Sequence, residues 1–233
     1  IYYLMAASFK LFGITEFAAR LTSSVFGVLL TIITFLFVRR VRSEFEAYLA
    51  AGALVLNILY FVYTHSAVTD MTLTFFIAAS IYSFYISTIE DGLKWPALFW
   101  TSSALAVLTK GAVGLIFPVA AAFLYSLSIL NLQRNFKRLF NPRCALLFLA
   151  ISLPWFAAEL YINGWEFFDA FIVKHHIKRY SQVISSHSGP FYYYLGVLAL
   201  GFFPWAAFIP AALKRGFSEF KIRRGGVYLL CSL

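Results

Sequence analysis

The chain has 233 residues, of which 61% are hydrophobic and 12% charged, and its net charge is +9. Soluble domains carry about a quarter charged residues, and a chain of this length cannot bury so much apolar surface in one core. The composition excludes a soluble enzyme, a disordered tail and a disulfide-stapled secreted domain, and it leaves a polytopic membrane protein.

The chain opens on Ile1, Tyr2 and Tyr3 with no basic stretch and no small-residue cleavage site, so the opening is not a signal peptide. Val227–Leu233 starts an apolar run that breaks off, and both ends are expected to be cuts within a longer polypeptide. Tyr2–Phe12 is too short to cross a bilayer and reads as an interfacial helix ending at Gly13. Apolar runs long enough for spans follow at Leu21–Val38, Ala47–Tyr63, Met71–Ile89, Trp95–Thr109, Gly111–Leu130, Cys144–Ile162 and Phe191–Leu213, with another beginning at Val227. The runs are continuous rather than alternating, which excludes a membrane barrel. Lipid offers no partner for open backbone groups, so the spans must be helices. The expected fold is all-α: a polytopic bundle of about seven spans plus the start of another, with outer juxtamembrane helices. Residues 1–233 form a single transmembrane domain in this reading. Cys144 and Cys231 both open spans and read as apolar fillers.

Thirteen of the 19 basic residues fall in one set of loops: Arg39, Arg40 and Arg42, then Lys94, then Arg134, Lys137, Arg138 and Arg143, then five between Lys214 and Arg224. Retained positive charge marks the cytoplasmic side. Because the basic residues are scattered between spans, they form no nucleic-acid footprint.

The opposite side holds all four histidines, His65, His175, His176 and His187, together with Asp70, Lys110, Glu159, Glu166 and Asp169. No ionisable residue sits near the centre of a span, where Asn57 is the most polar group. Ion-coupled transporters need an ionisable group at depth. The pattern therefore argues against a pump and leaves room for a passive carrier.

Asp70 precedes the run at Met71. It reads either as a helix N-cap or as an outward-facing carboxylate able to act as a base. Lys110 follows a run of about fifteen residues, shorter than the ~30 Å hydrocarbon core. It either snorkels or meets a phosphate. In the loop Asn163–Pro190, Asp169, Val173, His176 and Tyr180 share one helical face, and Arg179 lies three residues after His176. That face is either an amphipathic surface helix or the wall of a pocket for an anionic headgroup. Adjacent histidines point apart on a helix, so His175 and His176 make a weak metal site. His187 precedes the turn at Gly189-Pro190 and the Tyr192–Tyr194 run of the aromatic belt.

Four segments together resemble a known family: Tyr2–Leu21; Thr69-Asp70 at the head of a span; Leu108-Thr109-Lys110-Gly111 with Pro118; and His176-Ile177-Lys178-Arg179-Tyr180 with His187…Pro190 through Gly201…Pro204-Trp205. In order and spacing the chain resembles the polyprenyl-phosphate-sugar glycosyltransferases of the GT-C class. The similar sets are the bacterial aminoarabinose transferases that modify lipid A and the protein O-mannosyltransferases. The resemblance implies transfer of a sugar from undecaprenyl or dolichyl phosphate to a lipid A-type glycolipid or a protein, on the outer face of the plasma (inner) membrane. It implies a catalytic role for Asp70 and donor-phosphate contacts from Lys110, His176 and Arg179, with His175, Tyr180 and His187 in support. The family's principal catalytic Asp and its Glu-Lys-Pro-Pro motif would lie before Ile1. A metal seen in some relatives would use that Glu, so no cofactor is carried over. The fragment alone is expected to be inactive. The alternative reading is a transporter or flippase of a lipid-linked substrate.

Overall fold

The structure is a computed structural model and describes residues 2–128, 132–168, 193–212 and 214. Its regular elements are helices: α1 (Tyr2–Phe12), α2 (Glu16–Val41), α3 (Glu44–Val55), α4 (Ile58–Thr64), α5 (Asp70–Ile89), α6 (Lys94–Lys110), α7 (Val113–Ser128), α8 (Leu132–Leu139), α9 (Pro142–Phe168) and α10 (Tyr193–Gly201), followed by a 3-10 turn at Trp205–Phe208. The helix α1 ends at Gly13, whose φ of 75° is the left-handed conformation that glycine adopts without a steric penalty.

Three helices among the described residues, α2, α5 and α9, are long and apolar enough to cross a membrane. The outer surface of the bundle is itself apolar, as a lipid-facing surface must be: only 6% of the apolar window of α9 is buried. α6 and α7 match the expected runs and, at 17 and 16 residues, are shorter than α2, α5 and α9.

The expected span Ala47–Tyr63 is not one helix. It divides into α3 and α4, bent by 66°. The cause is Asn57, whose Oδ1 accepts the Tyr60 N–H at 2.9 Å and so starts a new helix. The described part of the expected span Phe191–Leu213 is not one helix: α10 ends at Gly201, a turn and the 3-10 segment Trp205–Phe208 follow, and residues 209–212 are helical again. Pro204 lacks the N–H that would continue the ladder. Gly201 packs so closely on Leu59 of α4 that a Cβ there would sit 2.2 Å from its Cδ1.

Small residues set the helix spacing. The buried positions of α5 and α6 include Ser80, Ser83 and Ser87 on the first and Ser102, Ser103, Ala104 and Ala106 on the second. The Ser103 hydroxyl donates to Ser80 Oγ at 3.2 Å, and Ser80 donates to the Phe76 carbonyl at 2.8 Å. Lipid supplies no hydrophobic drive between helices, so close backbone approach and buried hydrogen bonds do this work. Gly114 of α7 meets the backbone of Ala106 and Val107 for the same reason. The aromatic core joins Phe84, Phe99 and Trp100 to Leu139 and Cys144, and the Trp100 indole N–H donates to the Leu139 carbonyl at 2.7 Å.

Candidate active site

The ion pairs lie at the two ends of the bundle. At the end rich in basic residues, Arg40 meets Glu90 through Nε at 2.8 Å and Nη2 at 2.9 Å, and the Trp95 indole N–H donates to the same carboxylate at 2.9 Å. Trp95 first, and then Arg40, hold the Glu90 carboxyl below its ordinary value of 4.5. Arg138 pairs with Asp91 at this end. The Arg40–Glu90 pair places the C-terminal ends of α2 and α5 on one side, and the Trp95–Glu90 bond places the start of α6 beside them.

The opposite end carries the Glu16–Arg20 pair within α2 and a second pair that joins two helices. Lys110 Nζ donates to Asp70 Oδ1 at 2.5 Å. Asp70 is the first residue of α5 and Lys110 is the last of α6, so antiparallel packing brings them together. Each charge also sits at the helix end whose dipole favours it. Two hydroxyls of α2 fix the approach to Asp70: Ser23 donates to the Val68 carbonyl at 2.9 Å, and Ser24 to the Thr64 carbonyl at 2.8 Å. Lys110 is fixed by the end of its helix, where Gly111 turns away at φ 74°.

The N-cap reading of Asp70 is corrected here. The cap position belongs to Thr69, which is in the helical region and makes no side-chain cap bond. The Asp70 carboxylate is turned instead to Lys110. Lys110 in turn has a carboxylate partner rather than simply snorkelling.

Beside this pair opens a groove of about 440 Å³ whose lining is mostly apolar. It runs from Tyr3 of α1 past Phe76 of α5 and Leu108 of α6 to Trp155 and Glu159 of α9. Thr72 and Thr109, near neighbours of Asp70 and Lys110, also line it. Thr72 is buried, and its hydroxyl has no partner among the described residues. Glu159 accepts from Asn163 Nδ2 at 2.7 Å. A mostly apolar groove whose polar lining is Thr72, Thr109 and Glu159 can hold a long apolar tail with its polar head toward the Asp70–Lys110 end of α5 and α6. Sequence reasoning placed Glu159 on this side but not at a site. The signal was present: it is a lone carboxylate at the end of an otherwise apolar run.

His65 lies apart from the groove, with Nδ1 on the Phe61 carbonyl at 2.8 Å and its ring against Phe61. It lines a different crevice, with Thr31 and Tyr60. His175, His176, Arg179, Tyr180 and His187 lie outside the described residues. Among the described residues no group of three or more His, Cys, Asp and Glu side chains is placed to hold a metal.

Comparison with known proteins gives this geometry its context. A family described as dolichyl-phosphate-mannose-protein mannosyltransferase matches residues 1–161. An undecaprenyl phosphate-alpha-4-amino-4-deoxy-L-arabinose arabinosyl transferase of Aeromonas hydrophila is 32% identical over 238 residues, covering 98% of this chain and 42% of that protein. An uncharacterized protein of Aquifex aeolicus is 34% identical over 216 residues, covering 92% of this chain and 47% of its own length. Among solved structures, ArnT from Cupriavidus metallidurans bound to undecaprenyl phosphate superposes with a TM-score of 0.84 at 27% identity, over 91% of this chain and 39% of that one. Its apo state superposes with a TM-score of 0.80 at 26% identity, over 89% and 38%. The all-helical membrane bundle is thus the GT-C fold of ArnT, and the chain spans less than half the length of these relatives.

Proposed function

The chain belongs to the dolichyl-phosphate-mannose-protein mannosyltransferase family, and from that premise we propose that it works as a membrane glycosyltransferase using a polyprenyl-phosphate sugar. The sugar passes to a lipid A-type glycolipid or a protein on the outer face of the plasma membrane. The observation that carries this reading is the Asp70–Lys110 ion pair, whose sequence neighbours Thr72 and Thr109 line the apolar groove. The transporter reading draws no support from the relatives, whose printed activities are glycosyl transfers.

In this reading the polyprenyl chain lies along the groove with its phosphate near Lys110. The acceptor oxygen attacks the anomeric carbon as the bond from that carbon to the phosphate oxygen breaks. The lipid phosphate leaves with the bonding electrons. Asp70 takes the proton of a hydroxyl acceptor, or orients a phosphate acceptor that has none to lose. Lys110 gains a second anion to bind as charge develops on the leaving phosphate. His176 and Arg179 add donor-phosphate contacts, with His175, Tyr180 and His187 in support. Residues 1–233 act as one transmembrane domain, and no metal is assigned.

The test is transfer of a labelled sugar from polyprenyl phosphate in membranes bearing the full-length protein. Asp70→Asn and Arg179→Ala should each lower the rate. Unchanged rates in both would remove the site assignment.

A further inference from the structure

A crevice at the basic end of the bundle lies at the opposite end from Asp70 and Lys110. It lies between α2, α5 and α6 and encloses about 450 Å³, within the range of lipid and small-molecule sites. Its walls include Leu36, Phe37, Ala79, Tyr82, Ile86 and Leu98, and Arg39 and Arg40 stand at its rim.

The polar atoms in the walls are already engaged. The Tyr82 hydroxyl is 3.1 Å from Thr34 Oγ1, and its ring stacks on Phe37 at 4.1 Å. Ser83 donates to the Ala79 carbonyl at 2.6 Å. The depth of the crevice therefore offers nothing to a soluble polar ligand and suits an acyl chain.

The rim is different. Glu90 is taken by Arg40 and Trp95, and Asp91 by Arg138. Among the described residues this leaves Arg39 with no carboxylate, its guanidinium 5.6 Å from the Phe35 ring centre. Lys94 stands 5.0 Å over the Trp95 ring, on the Glu90 side of the rim. An apolar slot capped by an uncompensated guanidinium at a membrane boundary is complementary to one kind of molecule. We propose that this crevice binds an anionic glycerophospholipid of the leaflet on the basic side, its phosphate on Arg39 and an acyl chain between α2, α5 and α6. Basic pockets between membrane helices on the cytoplasmic side hold anionic headgroups in this way.

The experiment uses the full-length protein in nanodiscs of phosphatidylcholine with a minority of phosphatidylglycerol, followed by native mass spectrometry of the retained lipid. Phosphatidylglycerol should be retained above its share of the bilayer. Arg39→Gln should lower that retention about fivefold, the effect of one basic residue at the surface. Arg42→Gln removes a neighbouring charge that does not line the crevice, and retention should stay near the wild-type level. Ala79→Phe fills the slot without changing charge and should also lower retention. Equal retention of the two lipids overturns the proposal, including where another part of the chain occupies the crevice. An Arg42→Gln loss as large as that of Arg39→Gln overturns it too, because the lipid would then be following surface charge alone.

Discussion

The Lys110 ammonium rests 2.5 Å from the Asp70 carboxylate, although the two residues are 40 apart in sequence. Their side chains keep 44% and 39% of their surface exposed, so solvent screens the pair. An ion pair of that exposure contributes at most about 1 kcal/mol to stability. Removing it should therefore leave the fold almost intact. Under the proposed mechanism Asp70→Asn lowers transfer by about 10²–10⁴-fold, the usual worth of a placed acid–base group. Lys110→Met also lowers the rate. Transfer assays paired with melting curves in detergent check both. Loss of activity together with a melting shift of many degrees would reassign the pair to structure.

Gly114 offers a second test, on packing alone. A Cβ there would fall 2.3 Å from the Ala106 carbonyl carbon and 2.4 Å from the Val107 nitrogen. Those are backbone atoms of α6 and cannot turn aside as a flexible side chain would. Gly114→Ala should push α7 from α6 and lower stability by about 1–3 kcal/mol, the cost of overpacking. It should also reduce transfer, because Lys110 ends α6, the helix that α7 would press against. Gly52 is the control, since it lies within α3 and a Cβ there meets nothing within 4 Å. Gly52→Ala should be neutral or raise the melting temperature slightly. Equal losses at the two glycines would show that close approach is not what Gly114 serves.

Much of this arrangement was legible in the sequence, and the failures have physical causes. Apolar run length found α2, α5, α6, α7 and α9, because lipid forces such runs into helices. The two-sided division of charge also placed Asp70 and Lys110 on the same end. Their direct contact was not legible, because it depends on the antiparallel register of α5 and α6. The groove is assembled from Tyr3, Phe76, Leu108, Trp155 and Glu159, residues from four helices with no common spacing. The bend at Asn57 was missed for another reason. A window average records composition, whereas the bend turns on one side chain caught by the Tyr60 N–H.

That bond can be tested directly. Asn57 is buried, with 6% of its surface exposed, so its cap bond has no competition from water. Asn57→Ala should lower stability by about 1 kcal/mol, the usual cost of losing a cap. Asn57→Ser keeps an acceptor at the same place and should recover most of that loss. Melting curves of the three proteins in one detergent decide it. A serine variant no better than alanine would mean that the break is held from elsewhere, for instance by the Tyr60 hydroxyl on the Gly27 carbonyl.

The last prediction concerns acid. Trp95 and Arg40 hold the Glu90 carboxyl below its ordinary value of 4.5. A depressed carboxyl means that the unfolded chain takes up this proton before the folded one does. The stabilising contribution is therefore complete above about pH 4.5 and is lost as the pH falls through the lowered value. Glu90→Gln should melt below the wild type at neutral pH, because glutamine cannot offer Arg40 a charged fork. On acidification the two curves should converge, since the wild type then loses the same charge. Melting temperatures measured from pH 7 to pH 3 test the sign as well as the existence of the effect. A gap that stays constant through this range would show that Glu90 acts by shape, holding Trp95 and Arg40 together, and not by its charge.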